Sequence, residues 1–296
     1  MVLRSLRVKK HTETIGSNPS PLPTEQLDRD PTVAVSIKQL NNLPENTKGR
    51  IYRSLLPYEL MMHYGIDPIT WKSTDTPQPV RLIADPGTNM VEIALHTQAS
   101  ALDDIFSMQL SHNANNGIDL DFLQINDPHS PRFDTDRDQE GKPTLFGTAR
   151  RNVVEERKAM LAGLAPGQTR SGLRASEIVF EHLETFLVTL GHREYFLEPL
   201  TYASAWLFER RGFAYLRGHK LMTEINKEFQ PGGRLHKELD NSTPFRQADH
   251  WRTVRGRAWA IHDGILESID ARWDGLRMVK QIGQCAGVNT FPGAEY

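Results

Sequence analysis

The sequence predicts a mixed α/β fold of the α+β class, with a mainly antiparallel sheet flanked by helices and a helical extension at the C-terminus. Three observations favour this class: four short strand-like runs separated by turns, a later alternation of helix and strand patterns, and a long final stretch with helical periodicity. The 296 residues are 38% hydrophobic and 24% charged, which is typical of a globular chain with a sizeable core.

Charge and cysteine content narrow the classes of function. Lys plus Arg number 35 and Asp plus Glu 37, and this near balance argues against a dedicated nucleic-acid binder. No apolar run approaches the ~20 residues of a membrane helix, and the N-terminus lacks the apolar region of a signal peptide. We therefore expect a cytoplasmic protein with neither a nucleic-acid nor a membrane partner. The single cysteine, Cys285, permits no intramolecular disulfide and is interpreted as a bystander thiol.

The first 35 residues predict a flexible N-terminal arm, because a basic start leads into a Pro-rich polar stretch. A domain is expected over 36–219. Its first clear element is "RIYRSLLPYELMMHYGI", which predicts helix. The apolar residues of this run recur at helical spacing: Ile51, Leu55, Leu56, Leu60 and Met61.

Four strand-like runs follow, "PVRLIA", "MVEIAL", "DIFSMQLSH" and "GIDLDFLQIND". The turns "DPGTN" and "NANN" separate the members of each pair. In the fourth run, apolar residues alternate with Asp119 and Asp121, which indicates one wetter face of a sheet. We expect one antiparallel sheet with strands near 80–84, 90–95, 105–111 and 118–125.

A long insertion is expected near 127–165, beginning with the almost wholly polar "DPHSPRFDTDRDQEGKPT". Its aspartates Asp134, Asp136 and Asp138 resemble a calcium loop only superficially, since the glycine and the closing glutamate are misplaced for an EF-hand. The sequence therefore predicts no metal site here.

The second half of the domain alternates helices and strands. "ARRNVVEERKAMLAGL" predicts a helix, and "APGQTRSGLRAS" is a loop that opens a second helix, "EIVFEHLETFLVTLG". "REYFLEPL" predicts a strand, "TYASAWLFERRG" a helix with Thr201 as its N-cap, and "FAYLRG" a strand. Gly212 lets the helix stop in a left-handed turn, and Phe213 begins the strand with an apolar residue.

Residues 220–296 are interpreted as a C-terminal helical extension. "QADHWRTVRGRAWAIHDGILESIDARWDGLRMVKQIG" predicts one long helix, whose apolar stripe packs on its own domain, forms a homodimer seam or covers the substrate. The stripe comprises Trp251, Val254, Ala258, Ile261, Ile265, Ile269 and Leu276. His236 and Asp240 lie one turn apart, but their spacing fits no ligand signature and favours surface or capping roles.

This order of elements resembles the GNAT superfamily of acyl-CoA-dependent N-acyltransferases, best over residues ~170–217 and more broadly from ~80. The "ERRGF" corner, Glu209 to Phe213, is similar to a helix end that recurs in that family. The resemblance implies that the strand near 193–198 lies parallel to the last of the four earlier strands and splays away from it. It also implies transfer of an acetyl or other acyl group from acyl-CoA, as cosubstrate, to a small-molecule or protein amine.

The loop before the second helix resembles the family's phosphate-binding loop, in which backbone N–H groups at a helix N-terminus receive a pyrophosphate. The implied binding residues are Gln168, Arg170, Ser171, Gly172, Leu173 and Arg174. With Gly172 as the first glycine, Thr169 stands where the family has Arg or Gln, and Arg174 stands where it has a second small residue. The alternative interpretation is an ordinary glycine-containing helix entry with solvated arginines.

The catalytic residues match the family pattern less well than the phosphate-binding loop does. Phe208 stands where many members have a tyrosine that protonates the departing thiolate, and phenylalanine has no proton to give. Tyr202 is a nearby alternative acid. The candidate bases on strands are Asp119, Asp121 and Glu198, each of which also fits a solvated sheet face. The alternative function is therefore an inactive GNAT-like protein that binds coenzyme A or another protein.

Overall fold

The structure, a computed structural model, describes residues 34–98, 102–115 and 117–296. Of the N-terminal arm expected over 1–35, residues 1–33 lie outside this part of the chain. Val35 is buried, and its N–H donates to the carbonyl of Leu190. The α-helices of the described residues are α1 (Ile37–Asn41), α2 (Glu45–Tyr52), α3 (Tyr58–His63), α4 (Val153–Leu161), α5 (Ser176–Thr189), α6 (Tyr202–Arg210), α7 (His219–Glu228), α8 (Arg234–Lys237) and α9 (Val254–His262). The strands are β1 (Val80–Ile83), β2 (Met90–Leu95), β3 (Phe106–His112), β4 (Ile118–Ile125), β5 (Glu194–Leu197), β6 (Ala214–Arg217) and β7 (Arg277–Gln281).

The strands form one seven-stranded, mostly antiparallel sheet in the order β1-β2-β3-β4-β5-β7-β6. The four strands expected between 80 and 125 are confirmed, with ends that differ by about one residue. β5 pairs parallel to β4, as predicted, through Ile118 to Leu120 opposite Tyr195 to Leu197. The pairing stops there, whereas β4 continues to Ile125. The mixed α/β class with helices around a mainly antiparallel sheet is confirmed.

The described residues divide into two compact units. The first contains the described residues up to 115, together with 122–125 and 172–192. Its core holds the apolar faces of β2, β3 and α5, and the rings of Tyr52 and Phe186 lie 6.0 Å apart within it. The Tyr52 hydroxyl donates to the Asn41 side chain, and the Asn41 amide donates to the Met90 carbonyl, so these two buried polar side chains are paired.

The second unit contains 117–121, 126–171 and 193–296. Its main core lies among α6, α7 and α9. A smaller cluster, which includes Phe245 and Trp259, packs beneath the insertion. Arg151 of the insertion binds Glu156 at 2.6 Å and Asp263 at 2.9 Å. The pair with Asp263 holds the insertion against the end of α9.

The single long helix expected over 247–283 is wrong. α9 ends at His262, a 3₁₀ helix spans Ile265–Ile269, and β7 then enters the sheet between β5 and β6. Gly264 and Asp270, both with positive φ, break the helical path at each end of the 3₁₀ helix. The apolar stripe is confirmed as core, since Val254, Ile265 and most of its other members are buried in the main cluster of the second unit.

The corner after α6 has the geometry that its sequence predicts. Thr201 and Ser204 form a capping box at the start of α6. Gly212 has φ +82°, and a Cβ there would lie 3.0 Å from the backbone Cα atom of Cys285, so both conformation and space favour glycine. Phe213 is fully buried. Among the described residues, no helix is long and apolar enough to cross a membrane.

Candidate functional site

The first part of the predicted phosphate loop is fastened to the start of the insertion. The N–H of Ala165 donates to the Gln168 side chain at 2.7 Å. Arg170 donates from Nη1 to the Ser130 carbonyl at 2.6 Å, and the Ser171 carbonyl accepts from the N–H of Asp127. Gln168 and Arg170 therefore hold the shape of the loop through backbone groups.

The second part of the loop leads into α5 and is more open. Gly172 is exposed, and a Cβ there would lie 3.1 Å from the Ile125 carbonyl oxygen, which is tighter than most such contacts. Leu173 is half-buried. Arg174 is exposed and has φ +58°, a left-handed conformation that glycine adopts at no steric cost. The family resemblance expects a small residue at that position.

Helix α5 begins without a side-chain cap, because its N-cap residue is Ala175. Its first turn contains one acidic residue, Glu177. Partial positive charge at a helix N-terminus attracts anions, and Glu177 already offsets part of it. The first turn thus combines backbone donors with only one competing carboxylate.

Two of the candidate bases are brought together by an arginine that the sequence analysis missed. Arg277 of β7 binds Asp119 Oδ1 at 2.5 Å and Glu198 Oε1 at 3.3 Å. Its guanidinium also lies 5.4 Å from the ring of Phe196. Asp121 is exposed on β4. Arg277 lies within the stretch predicted as helix, and no local pattern indicates that it faces these carboxylates.

The tyrosines near the corner are poorly placed as proton donors to solvent or ligand. Tyr202 is 1% exposed, and burial raises the pKa of its hydroxyl although the neighbouring Arg257 opposes the shift. Burial and the carboxylate of Glu209, to which the Tyr215 hydroxyl donates at 2.7 Å, raise the pKa of Tyr215. Phe208 is half-buried, with its ring 5.3 Å from that of Phe213.

Glu209 of the "ERRGF" corner is a buried carboxylate whose role the sequence analysis did not predict. Besides the Tyr215 hydroxyl, it accepts hydrogen bonds from the N–H of Thr290 at 2.9 Å and from its hydroxyl at 2.6 Å. The C-terminal segment thus supplies two of the donors that satisfy this charge. Glu209 thereby links the start of the corner to the C-terminal segment.

The aspartates of the insertion are engaged by protein groups. Arg132 binds both Asp134 and Asp136. The carboxylate of Asp138 accepts the N–H groups of Lys142 and Glu140, and these hydrogen bonds hold its pKa below the usual range. In the part of the chain that the structure describes, no group of three or more His, Cys, Asp or Glu side chains could hold a metal ion.

His236 and Asp240, the other pair considered for a metal, also have local contacts. The ring of His236 lies 5.7 Å from that of Trp251, edge to face. The Asp240 side chain accepts the N–H of Ser242 two residues on, and this local bonding lowers its pKa. Both contacts are typical of surface and turn positions.

The structure brings Asp119 and Glu198 together at Arg277, and it leaves Tyr202 in the core. A scan against protein-family models and searches of curated proteins and of solved structures find no match to the chain.

Proposed function

We propose that this chain has a GNAT-like fold and transfers an acetyl or other acyl group from acyl-CoA to an amine. The observation that carries the proposal is the parallel pairing of β4 and β5 inside an otherwise mainly antiparallel sheet. The crossover between these strands contains the loop Gln168–Arg174 and α5. Parallel neighbours require such a crossover, and the resemblance associates this arrangement with coenzyme binding.

Coenzyme binding is assigned to the loop and to the first turn of α5. The exposed Gly172 leaves the backbone open to close approach, and the uncapped helix start supplies N–H donors. Arg174 adds a positive charge beside them. A pyrophosphate is the group that such donors suit.

The transfer step needs few protein groups. The amine nitrogen attacks the thioester carbonyl carbon, the C–S bond breaks, and the thiolate leaves with the electron pair. The amine must lose one proton, for which Asp119, Asp121 and Glu198 remain the candidates, directly or through water. A thiol has a pKa of only ~8.5, so the thiolate can leave without the acid that Phe208 cannot supply.

The second candidate function is a coenzyme-binding or protein-interaction module without turnover. The Arg277 ion pairs favour it, because they hold Asp119 and Glu198 in contact with a cation and so compete with proton transfer. The buried Tyr202 favours it as well. The cytoplasmic location and the homodimer stay predictions under either function.

An amine-panel assay separates the two functions. Coenzyme A release from acetyl-CoA is followed with a thiol reagent across small amines, polyamines and lysine peptides, in the Cys285→Ser variant to remove its exposed thiol. Slow release that requires an amine supports acyltransfer. Binding of acetyl-CoA without release across the whole panel supports the module, and the absence of both binding and release contradicts the proposal.

A further inference from the structure

Arg257 of α9 is a fully buried arginine that contacts no carboxylate in the described structure. Its Nε donates to the Trp251 carbonyl at 2.7 Å. Its Nη1 donates to the Asn226 side-chain oxygen at 2.9 Å and lies 3.4 Å from the Tyr202 hydroxyl. The Nη2 atom is buried and has no hydrogen-bond partner. One edge of the guanidinium is therefore unsatisfied.

This unsatisfied edge is costly because arginine stays charged inside proteins. All three acceptors around Arg257 are neutral, and the rings of Phe229 and Phe291 lie over its guanidinium, so none of these groups is an anion that would offset the buried charge. Glu209, on the neighbouring α6, is a buried carboxylate of the same unit, but its oxygens accept from Thr290 and Tyr215. An anion at the Nη2 edge would satisfy both the hydrogen bond and the charge.

The C-terminal segment, residues 290–296, covers this arginine. The ring of Phe291 lies 3.4 Å from the guanidinium carbon of Arg257. The segment is also held by Thr290 on Glu209 and by the N–H of Val254, which donates to the Glu295 carbonyl at 2.8 Å. Because Nη2 is buried in this arrangement, a ligand that contacts it requires the packing around Arg257 to open.

We propose that the Nη2 edge of Arg257 is a binding site for a small monocarboxylate, which the C-terminal segment opens and closes. A carboxylate oxygen accepts from guanidinium N–H groups in their plane, and the Nη2 edge is the one that no acceptor occupies. One negative charge matches the single uncompensated positive charge. Phosphate, with up to two charges, would leave an excess charge near Glu209. This inference does not depend on acyltransfer.

The closed segment and the ligand compete, because Phe291 packs on the arginine only when the site is shut. The apparent dissociation constant is the intrinsic constant divided by the fraction of molecules that are open. Weakening the closing contact should tighten carboxylate binding, whereas removing the guanidinium should abolish it. If Arg257 had only a structural role, the two substitutions would not change acetate binding in opposite directions.

The experiment titrates sodium acetate into the full chain at constant ionic strength set with chloride, and measures affinity by calorimetry and melting temperature. We expect acetate-specific stabilisation, at least threefold tighter binding by Phe291→Ala, and at least tenfold weaker binding by Arg257→Met. Arg252→Met is the matched control, since Arg252 is exposed and lies over the ring of Trp251, and it should bind as the unmodified protein does.

Equal effects of acetate and chloride would overturn the proposal, and so would unchanged acetate binding by Arg257→Met. Stronger stabilisation by inorganic phosphate than by acetate would contradict the monocarboxylate assignment. If Arg257→Met does not fold, the sign of the Phe291→Ala effect decides, because weaker acetate binding by that variant contradicts the competition on which the site depends.

Discussion

The two regions that the proposed function requires differ in how far their charges are already satisfied. At the paired strands β4 and β5, Arg277 binds both Asp119 and Glu198, so three charged groups neutralise one another in part. At the entry to α5, Gly172 and Arg174 are exposed, and no side chain caps the helix. Two carboxylates of the first region are engaged in ion pairs, whereas the second region presents exposed residues at an uncapped helix start.

This difference teaches that coenzyme binding and catalysis can be separated in this chain. Backbone donors at a helix start bind phosphate without needing a particular titratable group. Proton transfer needs a carboxylate that is available to the amine, and here Arg277 competes for two of the three candidates. We therefore expect acetyl-CoA binding to tolerate changes of titratable side chains better than turnover does.

The largest effect is expected at Gly172. Gly172→Asp places a carboxylate where the pyrophosphate should lie, and repulsion should weaken acetyl-CoA binding on the order of 10²-fold or about 3 kcal/mol. Gly172→Ala is the control, because its Cβ meets the same Ile125 carbonyl at 3.1 Å without adding charge. Calorimetric titration checks both variants. Equal loss by alanine and aspartate would show that the effect is steric.

The ion pairs of Arg277 should differ in strength. Arg277 and Asp119 are 20% and 14% exposed, whereas Glu198 is 59% exposed. Double-mutant cycles with Arg277→Met should give a coupling of about 1–2 kcal/mol for Asp119→Asn and less than about 1 kcal/mol for Glu198→Gln, because solvent screens the exposed pair. Urea denaturation measures both. Larger coupling to Glu198 would mean that the ion pairs are misassigned.

Phe208→Tyr should raise any basal rate of acetyl transfer by about tenfold. A well-placed general acid contributes a rate increase of ~10²–10⁴-fold, and we expect less here because the side chain at position 208 is half-buried. The affinity for acetyl-CoA should change little. Release of coenzyme A from saturating acetyl-CoA provides the rate. A robust rate that the substitution leaves unchanged would place the departing sulfur elsewhere.

The smallest effect is expected at Arg174, whose φ of +58° costs a residue with a Cβ on the order of 1 kcal/mol. Arg174→Gly should raise the free energy of unfolding by about 0.5–1 kcal/mol and change acetyl-CoA affinity less than about threefold. Thermal unfolding with and without acetyl-CoA tests both statements. Destabilisation by glycine would show that the arginine side chain contributes more than its strained backbone costs.

The local elements could be predicted because their signals are short-range. Alternation and turn composition predict the four early strands, and Thr201 and Gly212 mark the ends of α6. β7 could not be predicted in this way. Met278, Val279 and Lys280 are all buried although successive side chains point to opposite faces of a sheet, so both faces are covered here and the alternation typical of a half-exposed strand is absent.

The sequence predicts which residues are candidates for the site, but not which of them lie together or are buried. Asp119 and Glu198 could be named as strand carboxylates, but their shared partner Arg277 arrives through β7, which is distant along the chain. Tyr202 was a reasonable acid by position in α6, yet its burial depends on packing against α9 and the ring of Trp273. Long-range packing decides both outcomes.

The measurement that tests the central claim most directly is calorimetric titration of the unmodified chain with acetyl-CoA, alongside dephospho-coenzyme A and adenosine as partial ligands. Binding through backbone donors at the start of α5 predicts one site per chain, retained by dephospho-coenzyme A because its pyrophosphate is intact, and lost with adenosine. The melting temperature should rise with acetyl-CoA concentration, because the ligand binds only the folded state. No heat of binding and no stabilisation at millimolar acetyl-CoA would contradict the account.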